Sequence, residues 1–477
     1  MKFYITTPIY YVNDKPHIGH AYTTIAADVL ARYHRLLGKE VFFLTGTDEH
    51  AKKNVEAAAK VGQSDVKKYV DQMSAVWRET WTAMGLTIDR FIRTTEADHK
   101  KGVEQFWQLS KASGDIYEGE YHGLYCTGCE EYKKEDDLVD GKCPLHNRLP
   151  EELAEKNYFF RLTKYRQAIL DHIDANPEFI QPTSRRNEVR SYVDKFMSDI
   201  SISRETVKWG IAVPGDESQR IYVWFDALIN YLTGVGYGTD AVQFEKYWPA
   251  DLQLVGKDII KFHCALWPAM LMSAGLTLPK TVFAHGFFTI DGAKISKSLG
   301  NAIDPVELAN DFGMDAMRYF LMREISFGED GDFSRARLEQ RYDGELANEL
   351  GNLVNRVLTM AQKYGYATQP VINKPADDFS DAYRQAMEEI RLHDALNEVM
   401  KLVREANQLI EAKAPWKLAK EGKNDQLNAT LKTLLEMITR VGSMLAPFMP
   451  TTSERIAAQL QSMQPEPLFP RRELTPL

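Results

Sequence analysis

The sequence has few cysteines and no long run of uncharged apolar residues. Only four of its 477 residues are cysteine, which excludes the disulfide-dense class of small secreted proteins. No stretch is apolar for long enough to cross a bilayer, and the first residues lack the apolar run and small-residue cleavage site of a signal peptide. We therefore expect a cytoplasmic protein with no membrane partner.

An excess of positive charge is also missing. The formal net charge is −9, so a nucleic-acid partner would have to be contacted through local basic patches. Hydrophobic residues make up 44% and charged residues 26% of the chain, which is typical of a globular protein. The length predicts several domains, about two to four, each with its own core.

The N-terminal region has the pattern of a β-α-β unit. The segment KFYITT alternates like a strand, and HAYTTIAADVLARYHRLLG carries apolar residues at helical spacing at Ile25, Val29, Tyr33 and Leu36. The segment EVFFLTG is a continuous apolar run, as in a strand buried on both faces. The pattern predicts an α/β fold with a Rossmann-like, doubly wound parallel sheet. The first turn, NDKPHIGH, is then expected at the ligand crevice.

Two histidines stand in this turn, where the predicted helix begins. His17 and His20 are three residues apart, so we expect their side chains to be neighbours on the helix. Unpaired N–H groups and the partial positive charge of a helix N-terminus favour a phosphate there. Gly19 removes a side chain where a flat base could approach the backbone. Alternatives are a surface histidine pair or two metal ligands.

A second signal of the phosphate-binding type occurs in HGFFTIDGAKISKSLGN. Lys294 and Lys297 carry two ammonium groups in a predicted loop between Gly292 and Gly300. Such a loop can close on a polyphosphate and stabilise charge that develops in a transition state. Taken alone, the same pattern also occurs in ordinary solvated loops.

In this order, the two signals resemble the HIGH and KMSKS motifs of class I aminoacyl-tRNA synthetases. The first motif matches in full, and the second differs only by Ile295 in place of methionine. The resemblance implies that His17, His20, Lys294 and Lys297 are catalytic and bind ATP.

Between the two motifs lies a set of residues with the spacing of zinc ligands. Cys126 and Cys129 form one CxxC pair, and Cys143 and His146 form a second pair with the same spacing. Disulfides are the alternative, which a cytoplasmic location disfavours. Four protein ligands leave no position open for substrate, so we predict one structural Zn²⁺ in an inserted module. The remaining Cys264 is expected to be a small buried hydrophobic residue.

Further segments extend the resemblance to the methionyl-tRNA synthetase family over nearly the whole chain. They include TTPIYYVNDKPHIGH, FFLTGTDEH, YVWFDALINY, VGKDIIKFHCALWPAML and GNLVNR. Between about Asp115 and Tyr222 there is no room for the large editing insertion of the leucine, isoleucine and valine enzymes. The resemblance implies activation of L-methionine with Mg²⁺-bound ATP to methionyl-adenylate, then transfer to initiator and elongator tRNA(Met).

The same resemblance implies a methionine pocket and an ATP site. The methionine-binding residues would be Ile9, Tyr11, Asp48, Trp224, Ala227, Leu228, Tyr231, Ile259 and His263. Asp48 would hold the ammonium group, and His263 or Tyr231 would donate a weak hydrogen bond to the thioether sulfur. Gly19, Gly256 and Asp258 would join the two histidines and two lysines at ATP, and Arg204 would lie near the ligand's polar end. Leu228 departs from the family pattern, since some members have proline there.

The pocket residues also have a spacing that can be tested. Trp224, Ala227, Leu228 and Tyr231 are spaced by three, four and seven positions, which predicts one helical face. An aromatic-lined slot of this kind suits a polarizable thioether. An ordinary hydrophobic core is the alternative interpretation.

The sequence changes in character towards its C-terminal part, where apolar residues recur at spacings of three and four. We expect a catalytic domain in two halves, 1–115 and 223–303, around an inserted module at 116–222. A linking segment at 304–344 would lead to a helical anticodon-binding domain at 345–477.

The family resemblance implies that Asn352, Arg356 and Trp416 contact the anticodon. A C-terminal appendage found in some members is not seen, which favours a monomer. Two alternatives stay open: a zinc-stabilised tRNA-binding protein without activation chemistry, and an enzyme for another small apolar amino acid.

Overall fold

The structure is a computed structural model that describes residues 1–290, 292–295, 301–366, 376 and 379–470, with the backbone alone at 293 and 294. The chain forms two compact units. The first comprises Met1–Pro16 and Val41–His285, and the second comprises His17–Glu40 and Gly286–Leu477. Among the described residues, no helix combines the length and apolar character that a membrane span requires.

The regular elements follow one another in the order that the sequence pattern predicts for the N-terminal region, namely strand, helix, strand. The strands are β1 Lys2–Tyr11, β2 Glu40–Asp48, β3 Arg90–Arg93, β4 Ile116–Cys126, β5 Glu131–Lys133, β6 Glu151–Phe160, β7 Ile180–Gln181, β8 Ile200–Ser201, β9 Ser203–Arg204, β10 Ala212–Val213, β11 Asp216–Ile221, β12 Leu252–Gly256, β13 Val282–His285, β14 Phe288–Ile290, β15 Ala293–Lys294 and β16 Gly331–Asp332.

The helices are α1 Ile18–Leu36, α2 Lys52–Lys60, α3 Val66–Ala83, α4 Ala97–Ala112, α5 Arg166–Ala175, α6 Thr183–Lys195, α7 Val223–Ala227, α8 Asn230–Thr233, α9 Ala241–Tyr247, α10 Trp267–Ser273, α11 Pro305–Phe312, α12 Met314–Arg323, α13 Arg335–Arg341, α14 Asn352–Lys363, α15 Asp381–Glu388, α16 Leu392–Lys413, α17 Pro415–Lys420, α18 Asn424–Leu445 and α19 Pro450–Ser462. Short 3₁₀ turns occupy Glu135–Asp137, Leu162–Tyr165 and Lys257–Ile259, and π-helical turns occupy Phe262–Leu266 and Tyr342–Gly351.

The core of the first unit is a six-stranded sheet in the order β3-β2-β1-β12-β13-β7. Parallel pairing joins β1 to β12, β12 to β13, β13 to β7 and β2 to β3. Every residue of β12 is buried, as expected for a strand with both faces covered. The predicted Rossmann-like parallel sheet is therefore confirmed.

A second sheet of the first unit is antiparallel and carries the cysteine-rich segment. Its order is β5-β4-β6-β8, and β4 pairs with β6 from Ile116 opposite Phe160 to Tyr125 opposite Glu151. Burial along β4 alternates between half-buried and exposed from Tyr117 to Gly123, and the last two residues of the strand are both buried. The strand thus delivers Cys126, its final residue, into a buried position.

The second unit contains α1, the small sheet β15-β14-β16 and the C-terminal helices. The predicted C-terminal helical region is confirmed. The stretch between residues 379 and 416 divides at Ile390, whose φ of 58° lies in the left-handed region that a helix interior does not accept. The segment Tyr342–Gly351 is π-helical before α14 begins.

Buried charges fix α1 within the second unit. Asp28 on α1 is fully buried and pairs with Arg32 at 2.7 Å and with Arg318 on α12 at 2.8 Å. Arg318 also donates to the carbonyl oxygens of Phe448 and Pro447, at 2.7 and 3.1 Å. Such a set orients α1 because a buried guanidinium needs all of its partners in place.

Candidate active site and metal cluster

The N-terminus of α1 is organised by the two histidines. His17 is the N-cap, and its Nδ1 accepts the Gly19 N–H at 3.1 Å. The Nδ1 of His20 accepts the His17 N–H at 3.2 Å, so the pair forms a capping box of imidazoles. The rings stack with centroids 3.7 Å apart. The side chains lie next to each other, as their spacing indicates.

Gly19 lies against the imidazole ring of His17. A Cβ at this position would stand 2.9 Å from Cε1 of His17, closer than real Cβ atoms approach. In this structure the place beside Gly19 is therefore taken by the imidazole of His17.

Ile303, two residues beyond the second motif, lies beside the start of α1. Ile18 N–H donates to the carbonyl oxygen of Ile303 at 3.0 Å. Before the motif, β14 and β15 form a hairpin in which Thr289 is opposite Lys294. Gly292 turns this hairpin with a φ of 73°. Lys297 lies outside the described residues, and Lys294 is described only by its backbone.

The predicted methionine pocket residues of the first unit include a buried polar pair. Tyr231 Oη and His263 Nε2 are 2.8 Å apart, and His263 Nδ1 is 3.0 Å from the carbonyl oxygen of Ile259. Burial lowers the pKa of His263 to about 4, so the imidazole is neutral at pH 7. Since a carbonyl only accepts, Nδ1 carries the proton and Nε2 accepts the Tyr231 hydroxyl.

This pairing bears on the polar contact expected for a thioether. Both hydrogens that the two side chains offer are used, one on Ile259 and one on His263. A hydrogen bond from either group to a sulfur atom would require the pair to rearrange. At rest, Tyr231 and His263 therefore form a polar wall whose donors are occupied.

Aromatic rings line the same region. Trp224 stacks on Phe262 with centroids 4.0 Å apart and an angle of 5°, and it meets the His263 ring edge-on at 6.1 Å. Among the described residues, Trp224 Nε1 and Tyr11 Oη are buried without a hydrogen-bond partner. Phe262 was missed in the sequence, where nothing distinguished it from an ordinary core residue.

Two short helices rather than one carry Trp224, Ala227 and Tyr231, and the backbone stays right-handed at Leu228 and Ile229 between them. Trp224 and Ala227 belong to α7, whereas Tyr231 belongs to α8, and a turn at residues 228–229 separates the two helices. Ile259 ends a 3₁₀ turn and His263 lies in a π-helical turn. Such π-helical turns are frequent at functional sites.

Asp48 and Tyr11 place a buried carboxyl group and a buried phenol hydroxyl in this region. Asp48 is buried, and burial together with the nearby Asp226 raises its pKa well above the usual range, while the His50 N–H at 3.3 Å opposes the rise. Burial, and then Asp48, also raises the pKa of Tyr11, with Asp258 contributing further. The ammonium group of Lys53 stands 3.4 Å from the centre of the Tyr11 ring.

The structure shows the protein partners of Arg204, which the resemblance places near the ligand's polar end. Arg204 is buried and donates to Glu155 at 3.0 Å, and its guanidinium covers the Tyr125 ring at 4.3 Å. These partners account for its charge inside the first unit. Cys264 is fully buried, as expected for a small hydrophobic residue.

The four predicted metal ligands form a compact cluster. The ligand atoms of Cys126, Cys129, Cys143 and His146 all lie within 4.8 Å of one another. The Sγ atoms of Cys129 and Cys143 are 3.5 Å apart, and His146 Nδ1 is 3.3 Å from Cys129 Sγ and 3.8 Å from Cys143 Sγ. A tetrahedral Zn²⁺ has ligand–ligand edges of about 3.5–3.8 Å, so this set fits the ion.

The knuckle backbone is shaped around these ligands. A Cβ on Gly128 would lie 2.6 Å from Cγ of His146, so only glycine leaves the imidazole room. Hydrogen bonding from Cys129 lowers the pKa of the Cys126 thiol to about 3, while the same contact raises that of Cys129. Two adjacent thiols resist a second ionisation without a cation. A bound divalent metal ion would supply the missing positive charge.

The predicted anticodon residues lie on the helices of the second unit. Asn352 begins α14 and is exposed. Arg356, one turn later, pairs with Glu411 near the end of α16 at 2.8 Å. Trp416 follows Pro415 at the start of α17 and is 40% exposed. Glu411 thus links Arg356 to the end of α16 from which the chain turns into α17.

Family comparisons assign the two parts of the chain. The family described as tRNA synthetases class I (M) matches residues 3–148 and 134–358, and the anticodon-binding domain of tRNA ligase matches residues 372–473. A methionine–tRNA ligase of Thermotoga maritima is 46% identical over 470 residues, which are 96% of this chain and 75% of the relative. One of Rickettsia conorii is 46% identical over 481 residues, 98% of this chain and 94% of the relative.

Solved structures show the same similarity. Mycobacterium tuberculosis methionyl-tRNA synthetase in complex with methionyl-adenylate superposes with a TM-score of 0.91 at 39% identity, covering 98% of this chain and 100% of that one. Its apo form superposes with a TM-score of 0.84 at 36% identity, covering 99% of this chain and 98% of that one.

Proposed function

The chain belongs to the methionine–tRNA ligases, a family of class I tRNA synthetases, and from this premise we propose roles for its residues. The enzyme activates methionine with ATP to methionyl-adenylate and transfers the methionyl group to tRNA. The proposal that this site binds ATP rests on the stacked rings of His17 and His20 at the N-terminus of α1.

In the activation step, the methionine carboxylate attacks the α-phosphate in line and pyrophosphate leaves. Phosphoryl chemistry of this kind depends on positioning and on stabilising charge. The partial positive charge at the N-terminus of α1, together with His17 and His20, places positive potential at the phosphates. Lys294 and Lys297 add two cations. The nucleotide site is completed by Gly19, Gly256 and Asp258, and Mg²⁺ arrives with ATP as part of the substrate.

Methionine is recognised by charge at one end and by rings at the other. Asp48 is a buried carboxylate whose ionisation is disfavoured, and an arriving α-ammonium group compensates its charge. Trp224 and Tyr11, with Ile9, Ala227, Leu228 and Ile259, enclose the thioether chain, because sulfur makes favourable contacts with rings. Tyr231 and His263 form the polar wall near the sulfur.

The metal cluster holds one Zn²⁺ with a structural role. Three thiolates and one imidazole complete a tetrahedral set, and when bound the ion fixes the knuckle formed by residues 126–146. Cys126 and Cys129 supply one edge of the set, and Cys143 and His146 supply the other.

Both initiator and elongator tRNA(Met) are proposed substrates, with Asn352, Arg356 and Trp416 at the anticodon. Unpaired bases are recognised by stacking on aromatic rings and by hydrogen bonds to their edges. The partly exposed indole at the start of α17 and the accessible side chains of Asn352 and Arg356 on α14 support this role. The monomeric state, the cytoplasmic location and the domain limits at 115, 222, 303 and 344 remain predictions from the sequence.

The test is ATP–pyrophosphate exchange with each amino acid in turn. Methionine alone should stimulate exchange strongly, and His20→Ala should lower the rate by about two orders of magnitude or more, as for loss of one transition-state donor. His122→Ala is the matched control, because His122 is an exposed histidine of the first unit whose side chain is 70% accessible. Equal activity of the two variants would contradict the role of His20.

A further inference from the structure

A buried network of four side chains, which the sequence patterns did not single out, adjoins the proposed methionine pocket. Asp226 Oδ2 is 2.6 Å from His50 Nδ1, and Asp226 Oδ1 is 2.7 Å from His99 Nε2. His99 Nδ1 in turn contacts the Thr233 hydroxyl at 2.8 Å. All four residues are buried. They come from the end of β2, from α4, from α7 and from α8.

The network joins both ends of the methionine site. Asp226 stands on α7 between Trp224 and Ala227, two of the residues proposed to enclose the thioether. His50 follows Asp48 by two positions, and its backbone N–H donates to Asp48 Oδ1 at 3.3 Å. One residue, His50, therefore holds the Asp48 carboxylate with its main chain and Asp226 with its ring.

The charges of the network keep Asp226 ionised, and the charge of Asp226 raises the pKa of Asp48. Burial alone would raise the pKa of Asp226, but His50 and His99 lower it to about 2, so the carboxylate is ionised at pH 7. The negative charge of Asp226 in turn is the second cause, after burial, of the raised pKa of Asp48. Two carboxylates in one buried region form a place where an ammonium group is favoured.

We propose that Asp226 is a positioning residue for the methionine ammonium group, acting through His50 on the Asp48 carboxylate. The proposal rests on the role given to Asp48 above. It requires no contact between Asp226 and the substrate. The ionised Asp226 keeps the His50 ring in place, and the His50 main chain keeps Asp48 Oδ1 turned towards the position of the ligand. Loss of the Asp226 charge releases this constraint.

A double-mutant cycle on methionine binding tests the proposal. The equilibrium Kd for L-methionine is measured by calorimetry for the wild type, Asp48→Asn, Asp226→Asn and the double variant. We expect Asp48→Asn to raise the Kd about tenfold or more and Asp226→Asn to raise it about fivefold or more. Because Asp226 acts through Asp48, the double variant should bind no more weakly than Asp48→Asn alone.

Controls separate positioning from loss of structure. Asp115→Asn is matched, because Asp115 is equally buried and accepts hydrogen bonds at 2.5–2.8 Å from Lys164, Tyr165 and Ser273, none of which is a proposed pocket residue. It should lower the melting temperature without changing the Kd for methionine. In Asp226→Asn, the KM for methionine should rise while the KM for ATP stays within about twofold of the wild type.

A second variant keeps the test decisive if Asp226→Asn does not fold. His50→Gln retains the backbone N–H to Asp48 and removes the ring, and it should weaken methionine binding in the same direction. Additive effects of Asp48→Asn and Asp226→Asn, or an unchanged Kd in a folded Asp226→Asn, would overturn the proposal. An unchanged Kd in Asp48→Asn would instead show that the role of Asp48 itself is wrong.

Discussion

Removal of the Trp416 side chain should separate tRNA charging from amino-acid activation. The indole is 40% exposed at the start of α17. It follows Ala414, whose φ of 41° turns the chain between α16 and α17. A tryptophan in this setting has a face available to a base. We therefore expect Trp416→Ala to impair aminoacylation of tRNA(Met) and to leave methionine-dependent pyrophosphate exchange nearly intact.

The size of the effect follows from stacking and burial. Stacking of one base on an aromatic ring contributes about 1–3 kcal/mol, which corresponds to roughly a 5- to 150-fold loss in kcat/KM for tRNA. Truncation of a fully buried tryptophan costs about 3–5 kcal/mol of folding stability. Trp416 is partly exposed, so its truncation should cost clearly less and the melting temperature should fall only slightly.

Both activities and the melting temperature are to be measured on one preparation of each variant. Phe196→Ala is the matched control, since Phe196 is a 60% exposed aromatic residue of the first unit. That variant should retain both activities. If Trp416→Ala lost exchange and aminoacylation in equal proportion while its melting temperature dropped, the indole would be a packing residue and the anticodon role would be refuted.

Three further predictions concern the catalytic loop, the metal and pH. Lys297→Ala should lower the rate of adenylate formation far more than it weakens methionine binding, because the lysine charge acts on the transferring phosphate. A normal rate with a large rise in the methionine KM would contradict this prediction. Elemental analysis should find one zinc per chain, lost in Cys126→Ser but kept in Cys264→Ser, whose thiol is buried away from the cluster. Burial raises the pKa of Asp48, and the ammonium group binds the ionised form of this carboxyl, so methionine affinity should fall as the pH drops through the raised pKa, which lies above the usual value of about 3.9. Asp48→Asn should abolish this pH dependence. A wild-type Kd that stays constant down to about pH 4 would argue against the prediction.

The sequence by itself determined the features that depend on local chemistry. Alternation and apolar runs predict β1 and β2, and the turn between them places His17 and His20 at a helix start, because capping and periodicity act over a few residues. The metal cluster is another feature that depends on residues close together in the chain. Cys126 and Cys129, like Cys143 and His146, are close in the chain, and a CxxC knuckle brings its ligands together whatever the surrounding fold.

Tertiary structure alone decided which distant residues meet. Asp226 reaches His50 and His99 across separations of 176 and 127 residues, and no periodicity encodes such a pairing. The same holds for the division into α7 and α8 at residues 228–229, which the spacing of the pocket residues does not indicate. Burial is the physical reason, since an ionised carboxylate in the interior must find partners wherever the chain folds them together.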